Sequence, residues 1–312
     1  MFDWVENRKE LTQVQNLITT EQLNSIKSEM KKKHRDLLVK RFFSNKLALF
    51  GSILMTVIVL LAIISPFFTS FTPYELDPVK RLQPPGAEHF FGTDNYGRDL
   101  FSRIVNGARV SLIIGFAVAI ITSILGMIIG LYSAYYKKLD GVLMRISDGL
   151  MAFPAILLAI AIMASLGPRL ENVIIALVIV FTPSVARTVR SAALVVKEQT
   201  YVEALKAQGA SASRIIWLNI ATNVLSPLIV QATFIFADSI IIEAALSFLG
   251  AGIPAPDPSW GNLLYDGKTV IFNAWWMTLF PGIAIMLSVF GLNLFGDGLR
   301  DLLDPHTNKA KK

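Results

Sequence analysis

The chain has 312 residues, of which 53% are hydrophobic and only 17% charged, with a formal net charge of +6 and no cysteine. A soluble chain of this length needs a charged shell that this composition does not supply. The lack of cysteine excludes disulfides, iron–sulfur clusters, cysteine-ligated metals and thiol nucleophiles within the chain.

In chain order, residues 1–46 are polar and too long for the leading region of a signal peptide, so the first apolar run is expected to stay as an anchor. The basic stretch Met30–Arg35 reads as a helix resting on anionic headgroups, at roughly 1 kcal/mol per basic residue. About 20 apolar residues at 1.5 Å each cross a ~30 Å hydrocarbon core. On that measure six spans are expected: 47–68, 109–131, 149–167, 172–191, 224–249 and 275–296. The second contains Gly126-x-x-x-Gly130, a small-residue face for close helix approach. The fourth is the weakest, because Arg187 and Arg190 fall at its end. The fifth carries Asp238 and Glu243. Arg145 and Asp148 are expected to pair at the inner end of the third.

Of the 29 Lys and Arg, 22 fall in segments on the N-terminal side of the membrane and 7 on the other. Positive residues stay inside, so both termini are expected in the cytoplasm. The +6 charge is then a topology signal, and nucleic acid is not an expected partner. The three His (34, 89 and 306) show no metal-ligand spacing. The chain contains no Gly-x-x-x-x-Gly-Lys-Ser/Thr loop to cradle phosphate, so it is not expected to hydrolyse ATP.

Between the fourth and fifth spans lies a polar loop of about 30 residues. Ser191–Gln208 has helix-forming composition, Gly209 suits a left-handed helix end, and Ser211 can cap a short second helix through Leu218. Such an element in water implies a docking partner.

This segment resembles the EAA loop of binding-protein-dependent ABC importer permeases: Glu-Ala-Ala, three residues, Gly, then about ten residues to Ile-Leu-Pro. Glu203, Ala204, Gly209 and Ile220 match. Leu205 replaces the second Ala, and Ala221-Thr222 stands where Leu-Pro is usual, with Pro227 five residues later. Phe91-Gly92-Thr93-Asp94, Gly97-Arg98-Asp99, Ser102-Arg103 and Gly107-x-Arg109-x-Ser111-Leu112 together look like the outer loop of the C-type permease of oligopeptide and dipeptide importers. Glu243–Gly250 with Pro256-x-Pro258-x-Trp260-Gly261, and Asn293–Asp301 with Leu303-Asp304-Pro305, are similar to two further signatures of that family. The resemblance runs from about Lys40 to Pro305.

It implies an all-α six-helix type I ABC importer permease fold, MetI-like, with cytoplasmic coupling helices. The expected layout is a cytoplasmic segment at 1–46, the first span and external loop at 47–110, and a five-helix core at 111–296. The coupling loop falls at about 192–222 and a cytoplasmic tail at 297–312. The resemblance further implies a subunit of the bacterial cell membrane that imports oligopeptides or dipeptides. Its partners would be a second, B-type permease subunit, two ATP-binding subunits and an extracellular substrate-binding protein. ATP and Mg would be bound by those ATPase subunits, and no cofactor or metal by this chain. Nickel chelates or glutathione are alternative cargo. An ion-coupled secondary transporter using Asp238 and Glu243 is an alternative of another class.

Coupling to the ATPases is assigned to Glu203, Ala204, Leu205, Gly209, Ser211 and Arg214. Asp238 and Glu243 are candidates for the translocation pathway, since intramembrane carboxylates face a bundle interior or wet cavity; for Glu243 interhelical hydrogen bonding is the competing role. Asp94, Arg98, Asp99, Pro254, Pro256 and Trp260 are candidate contacts for the binding protein. The competing reading of the first three is local pairing, with Asp99 and Arg103 at i, i+4. The competing reading of the 251–273 loop is a rigid lid stiffened by its prolines.

Overall fold

The computed structural model describes residues 20–69 and 71–303. Helix α1 spans Thr20–Ser44, α2 Lys46–Phe68, α3 Leu100–Tyr135, α4 Lys137–Met151 and α5 Ala155–Leu166. Then follow α6 at Leu170–Lys197, α7 at Thr200–Ala207, α8 at Ala212–Phe248, α9 at Trp260–Lys268 and α10 at Trp276–Leu303. Among the described residues the only β pairing is an isolated bridge between Thr93 and Asp99. Helix α1 is a polar unit by itself that includes Met30–Arg35, and the chain from Leu47 onward forms a second unit. Pro305 and His306 lie outside the described residues.

Five helices (α2, α3, α6, α8 and α10) are long and apolar enough to cross a membrane. The expected span at 149–167 is different. Its apolar part is the 12-residue α5, about 18 Å long and too short to cross by itself. Together with the amphipathic α4, which it meets at 93°, it is long and apolar enough to make the sixth span, as a broken one. Pro154 sits at that corner as the residue before α5, where its fixed φ and missing N–H end one helix and begin another.

The core is organised by α3. At 36 residues it is about 54 Å long and outreaches the hydrocarbon core at both ends. One face of it is small: Gly107, Ser111, Gly115, Gly126 and Gly130 are all buried. A Cβ on Gly130 would lie 2.6 Å from the Ala186 carbonyl oxygen, and one on Gly115 2.6 Å from the Phe236 ring. The glycines at 126 and 130 therefore let α6 approach as the sequence pattern implies. The same device joins α2 to α10, where a Cβ on Gly51 would meet the Phe295 nitrogen at 2.6 Å.

Proline accounts for a further tie. Pro66 has no N–H to offer the Ala62 carbonyl one turn back. Arg109 of α3 donates at this turn: its Nε to Ala62 O at 2.5 Å and its NH2 to Ile63 O at 2.9 Å.

Helix α6, the expected weak span, is the most interior one: 56% of its apolar window is buried within the chain, against 17% for α2. Its two arginines are paired. Arg190 grips Asp140 with two hydrogen bonds at 2.5 and 2.6 Å, and Arg187 meets Asp148 at 2.5 Å. Both acids come from α4, running antiparallel. Asp148 thus pairs with Arg187 and not with Arg145, because antiparallel packing brings an arginine of α6 across to it.

Two loops also differ from expectation. The helix expected at Ser191–Gln208 is broken at Glu198-Gln199, so α6 ends at Lys197 and α7 is separate. The short helix expected from Ser211 to Leu218 runs without interruption into the fifth span through a π-helical turn at Ile215–Ile220. Ile215, Ile216 and Ile220 are fully buried there, so burial of that stripe holds the helix continuous. The 251–273 segment contains α9, started by a reciprocal Ser259–Asn262 capping box.

Candidate functional site

Helix α7 has one inward and one outward side. Val202 is fully buried, and Leu205 one turn later packs on the same core with Ala210. Leucine in place of the second alanine of the motif therefore serves anchorage. The helix ends in a Schellman turn: Ala210 N–H donates to Leu205 O at 3.0 Å, Gly209 N–H to Lys206 O at 3.0 Å, and Gly209 adopts φ +79°. Nothing lies within 4 Å of where its Cβ would be, so glycine is required there by conformation and not by space. Ser211 then caps the next helix by accepting from Arg214 N–H at 3.4 Å.

The seat of α7 is built from its neighbours. Lys197, at the end of α6, donates to the last carbonyls of α3 (Ala134 O at 2.7 Å, Tyr135 O at 3.1 Å), where a cation also suits the helix dipole. Lys206 stands 6.0 Å over the Tyr135 ring. Asn223 of α8 donates to the Tyr201 hydroxyl at 3.2 Å. The helix is thus fastened to α3 and α8. Glu203, Ala204, Ala207, Gln208, Ser211 and Arg214 are left exposed.

A second feature begins at the same end. A cavity of ~640 Å³, open on one side, is lined by Thr188, Asn223, Ser226, Pro227, Val230, Gln231, Phe234, Arg300 and Leu303. Asn223, Gln231 and Asp238 lie eight and seven residues apart, which puts all three on one face of α8. Asp238 is exposed on that face. Glu243 is not: it is fully buried, and accepts from Ser111 Oγ at 3.0 Å and Ser247 Oγ at 2.9 Å. It joins α3 to α8, the hydrogen-bonding role, and of the two acids only Asp238 reaches an open face.

At the far end the charges of residues 92–103 are interior. Asp94 is fully buried; its Oδ1 accepts from Tyr96 N–H and Arg98 N–H at 2.8 and 3.0 Å, and its Oδ2 from Arg98 Nε at 2.6 Å. Arg103 lies 3.5 Å from the same oxygen, and donates to Pro73 O at 3.0 Å. Asp99 caps α3 by accepting from Ser102 N–H at 2.7 Å and meets His89 at 2.9 Å. The expected Asp99–Arg103 pair does not form, because the Asp99 oxygens are taken by Ser102 N–H and His89 while Arg103 turns to Asp94 and Pro73 O.

Arg98 also reaches Asp266 of α9 at 3.5 Å. Burial pushes the Asp266 carboxyl above its usual range, with Arg103 and Arg98 pulling the other way. Trp260 is buried, its indole donating to Ile104 O at 3.0 Å, while Pro254 and Pro256 are exposed. Of the expected external contacts, only the two prolines present their side chains to solvent.

Sequence reasoning missed Lys197, Tyr201, Asn223 and Asp266. The eight-then-seven spacing of Asn223, Gln231 and Asp238 was the available signal for the cavity face. Among the described residues no group of His, Asp or Glu is arranged to hold a metal.

The family described as binding-protein-dependent transport system inner membrane component matches residues 123–309, and the N-terminal TM domain of oligopeptide transport permease C matches residues 36–85. A putative peptide transport system permease protein of Brucella abortus is 51% identical over 269 residues, covering 86% of this chain and 91% of its own. The dipeptide transport system permease protein DppC of Alkalihalophilus pseudofirmus is 49% identical, covering 85% and 88%. The oligopeptide transport system permease protein OppC of Bacillus subtilis is 40% identical, covering 86% and 88%. A solved structure of the MetNI methionine ABC transporter in inward-facing conformations superposes with a TM-score of 0.55 at 19% identity. It covers 65% of this chain and 96% of that one, a likeness of fold.

Proposed function

Since the chain belongs to the binding-protein-dependent transport system inner membrane components, we propose that it is the permease subunit of an ABC importer that takes up dipeptides or oligopeptides. Its relatives are named for peptide, dipeptide and oligopeptide transport. The observation that carries the mechanism is α7: a rigid helix fastened to α3 and α8, with a solvent face of Glu203, Ala204, Ala207 and Gln208. ATPase subunits dock on that face. Their closure moves α7, and the Tyr201–Asn223 bond and the continuous α8 pass the movement to the face bearing Gln231 and Asp238. A second permease subunit supplies the other wall of the pathway. Both termini and α7 lie on the cytoplasmic side, where 22 of the 29 Lys and Arg fall. The binding protein approaches the opposite end, at the exposed Pro254 and Pro256.

The test is co-purification of the tagged chain followed by ATPase assay. The expected result is ATPase activity, raised by binding protein and peptide together. Ion-driven uptake by this chain in the absence of any ATPase would contradict it.

A further inference from the structure

We infer that the cavity between α6, α8 and α10 is a recognition site for the C-terminal carboxylate of a peptide, read by Arg300. The inference rests on the peptide-importer reading above. The cavity holds ~640 Å³, within the range of about 300–1,000 Å³ typical of ligand sites. Its lining suits a peptide. Gln231 supplies an amide donor and acceptor, Asn223 supplies an acceptor because its N–H groups go to Tyr201 and Asn219, Ser226 and Thr188 supply hydroxyls, and Phe234, Val230 and Pro227 supply apolar surface. Arg300 is the single cation among the lining residues, and no carboxylate lines the cavity. A planar guanidinium on the wall of this partly polar, largely apolar cavity matches a carboxylate in two-point geometry.

The placement of Asp238 gives the site a direction. Gly296 of α10 abuts Thr233 and Phe234 of α8, and the two helices run antiparallel. Arg300, one turn beyond Gly296, is therefore level with residues 229–230, about 13 Å along the axis from the level of Asp238. The cation lies nearer α7 and the acid farther from it. A peptide bound along this face places its carboxylate at Arg300 and its amine toward Asp238. The wall it touches includes Asn223, which is bonded to Tyr201 of α7.

The test uses the complete reconstituted transporter in vesicles, with uptake of one peptide measured as the free acid and as its C-terminal amide. Any preference of the binding protein is common to both transporters and cancels in the comparison of variant with wild type. Arg300→Gln is expected to lower uptake of the free acid about fivefold to tenfold and to leave the amide unchanged, while Arg300→Lys recovers part of the loss. An equal fall for acid and amide would overturn the inference, since it would mark Arg300 as a contact to another subunit. No fall for either would overturn it as well. Absence of uptake of both peptides by the wild-type transporter would remove the peptide reading and the inference with it.

Discussion

At the end of the molecule formed by residues 71–99 and α9, Asp94, Arg98, Asp99 and Arg103 lie inside and are held by one another and by backbone groups. At the opposite end Glu203, Lys206 and Arg214 stand exposed on α7 and the start of α8. Both stretches are polar, glycine-bearing motifs that resemble family signatures, yet they do different work. The first spends its charge on closing a loop over the helix ends. The second keeps Glu203, Gln208 and Arg214 in solvent and is anchored from its other side by Val202, Leu205, Tyr201 and Lys206. A charged motif in a membrane protein is therefore no guide to a docking surface until its burial is known.

The comparison can be broken by substitution at either end. Asp94→Ala takes the nearest carboxylate from two buried guanidinium groups, leaving Arg98 only Asp266 and Arg103 only a carbonyl, and removing one partner of a buried pair costs about 3–5 kcal/mol. Folded yield in detergent should fall steeply, and uptake with it. An Asp94→Ala protein of normal thermal stability would show that the buried network is dispensable.

At the other end Gly209→Val and Glu203→Lys should abolish uptake and ATPase co-purification while leaving membrane insertion intact. Valine at φ +79° is strained locally, but open space around the residue leaves the core undisturbed. Gly209→Asn, which tolerates that conformation better, should retain a measurable fraction. Normal uptake by the Gly209→Val protein would count heavily against docking on α7.

A smaller effect is expected at Asp266. Its carboxyl is raised by burial, so its folded-state value lies above the unfolded one. The associated stability is fully present below the unfolded value, near pH ~4, and is lost as pH rises through the raised value. Melting temperatures across that window should decline in the wild type and stay flatter in Asp266→Asn. The smallest effect belongs to Arg187→Gln. The Arg187–Asp148 pair is more than half exposed on both sides, and such pairs contribute about 0–1 kcal/mol.

Much of the architecture was legible because hydrocarbon imposes long apolar helices. The Gly126/Gly130 contact, the positive-φ Gly209 and the Ser211 cap follow from local chemistry that sequence states directly. The failures share a cause. Hydropathy measures exposure to lipid, so it ranks α2 high and α6 low, although α6 is the more buried. A helix inside a bundle can carry arginines if a neighbour supplies acids, and Asp140 and Asp148 are 50 and 39 residues away in sequence. The corner at Pro154 and the capping box at Ser259 were local signals hidden inside a run treated as one span and a run treated as one loop. In the site, Glu203 and Gly209 were readable from the motif. Tyr201 and Asn223 were not, because their roles depend on a contact across 22 residues.

The absence of cysteine permits a direct test of the central claim that α7 receives the ATPase. Ser259 is buried as a helix cap, so the outer control belongs at exposed Pro254 and the inner probe at exposed Ala204. Ala204→Cys should react with a maleimide only from the cytoplasmic side and be protected at least tenfold when the ATP-binding subunits are co-assembled, while Pro254→Cys reacts from outside in either case. Equal labelling of Ala204→Cys with and without those subunits, or labelling from the outside, would contradict the account.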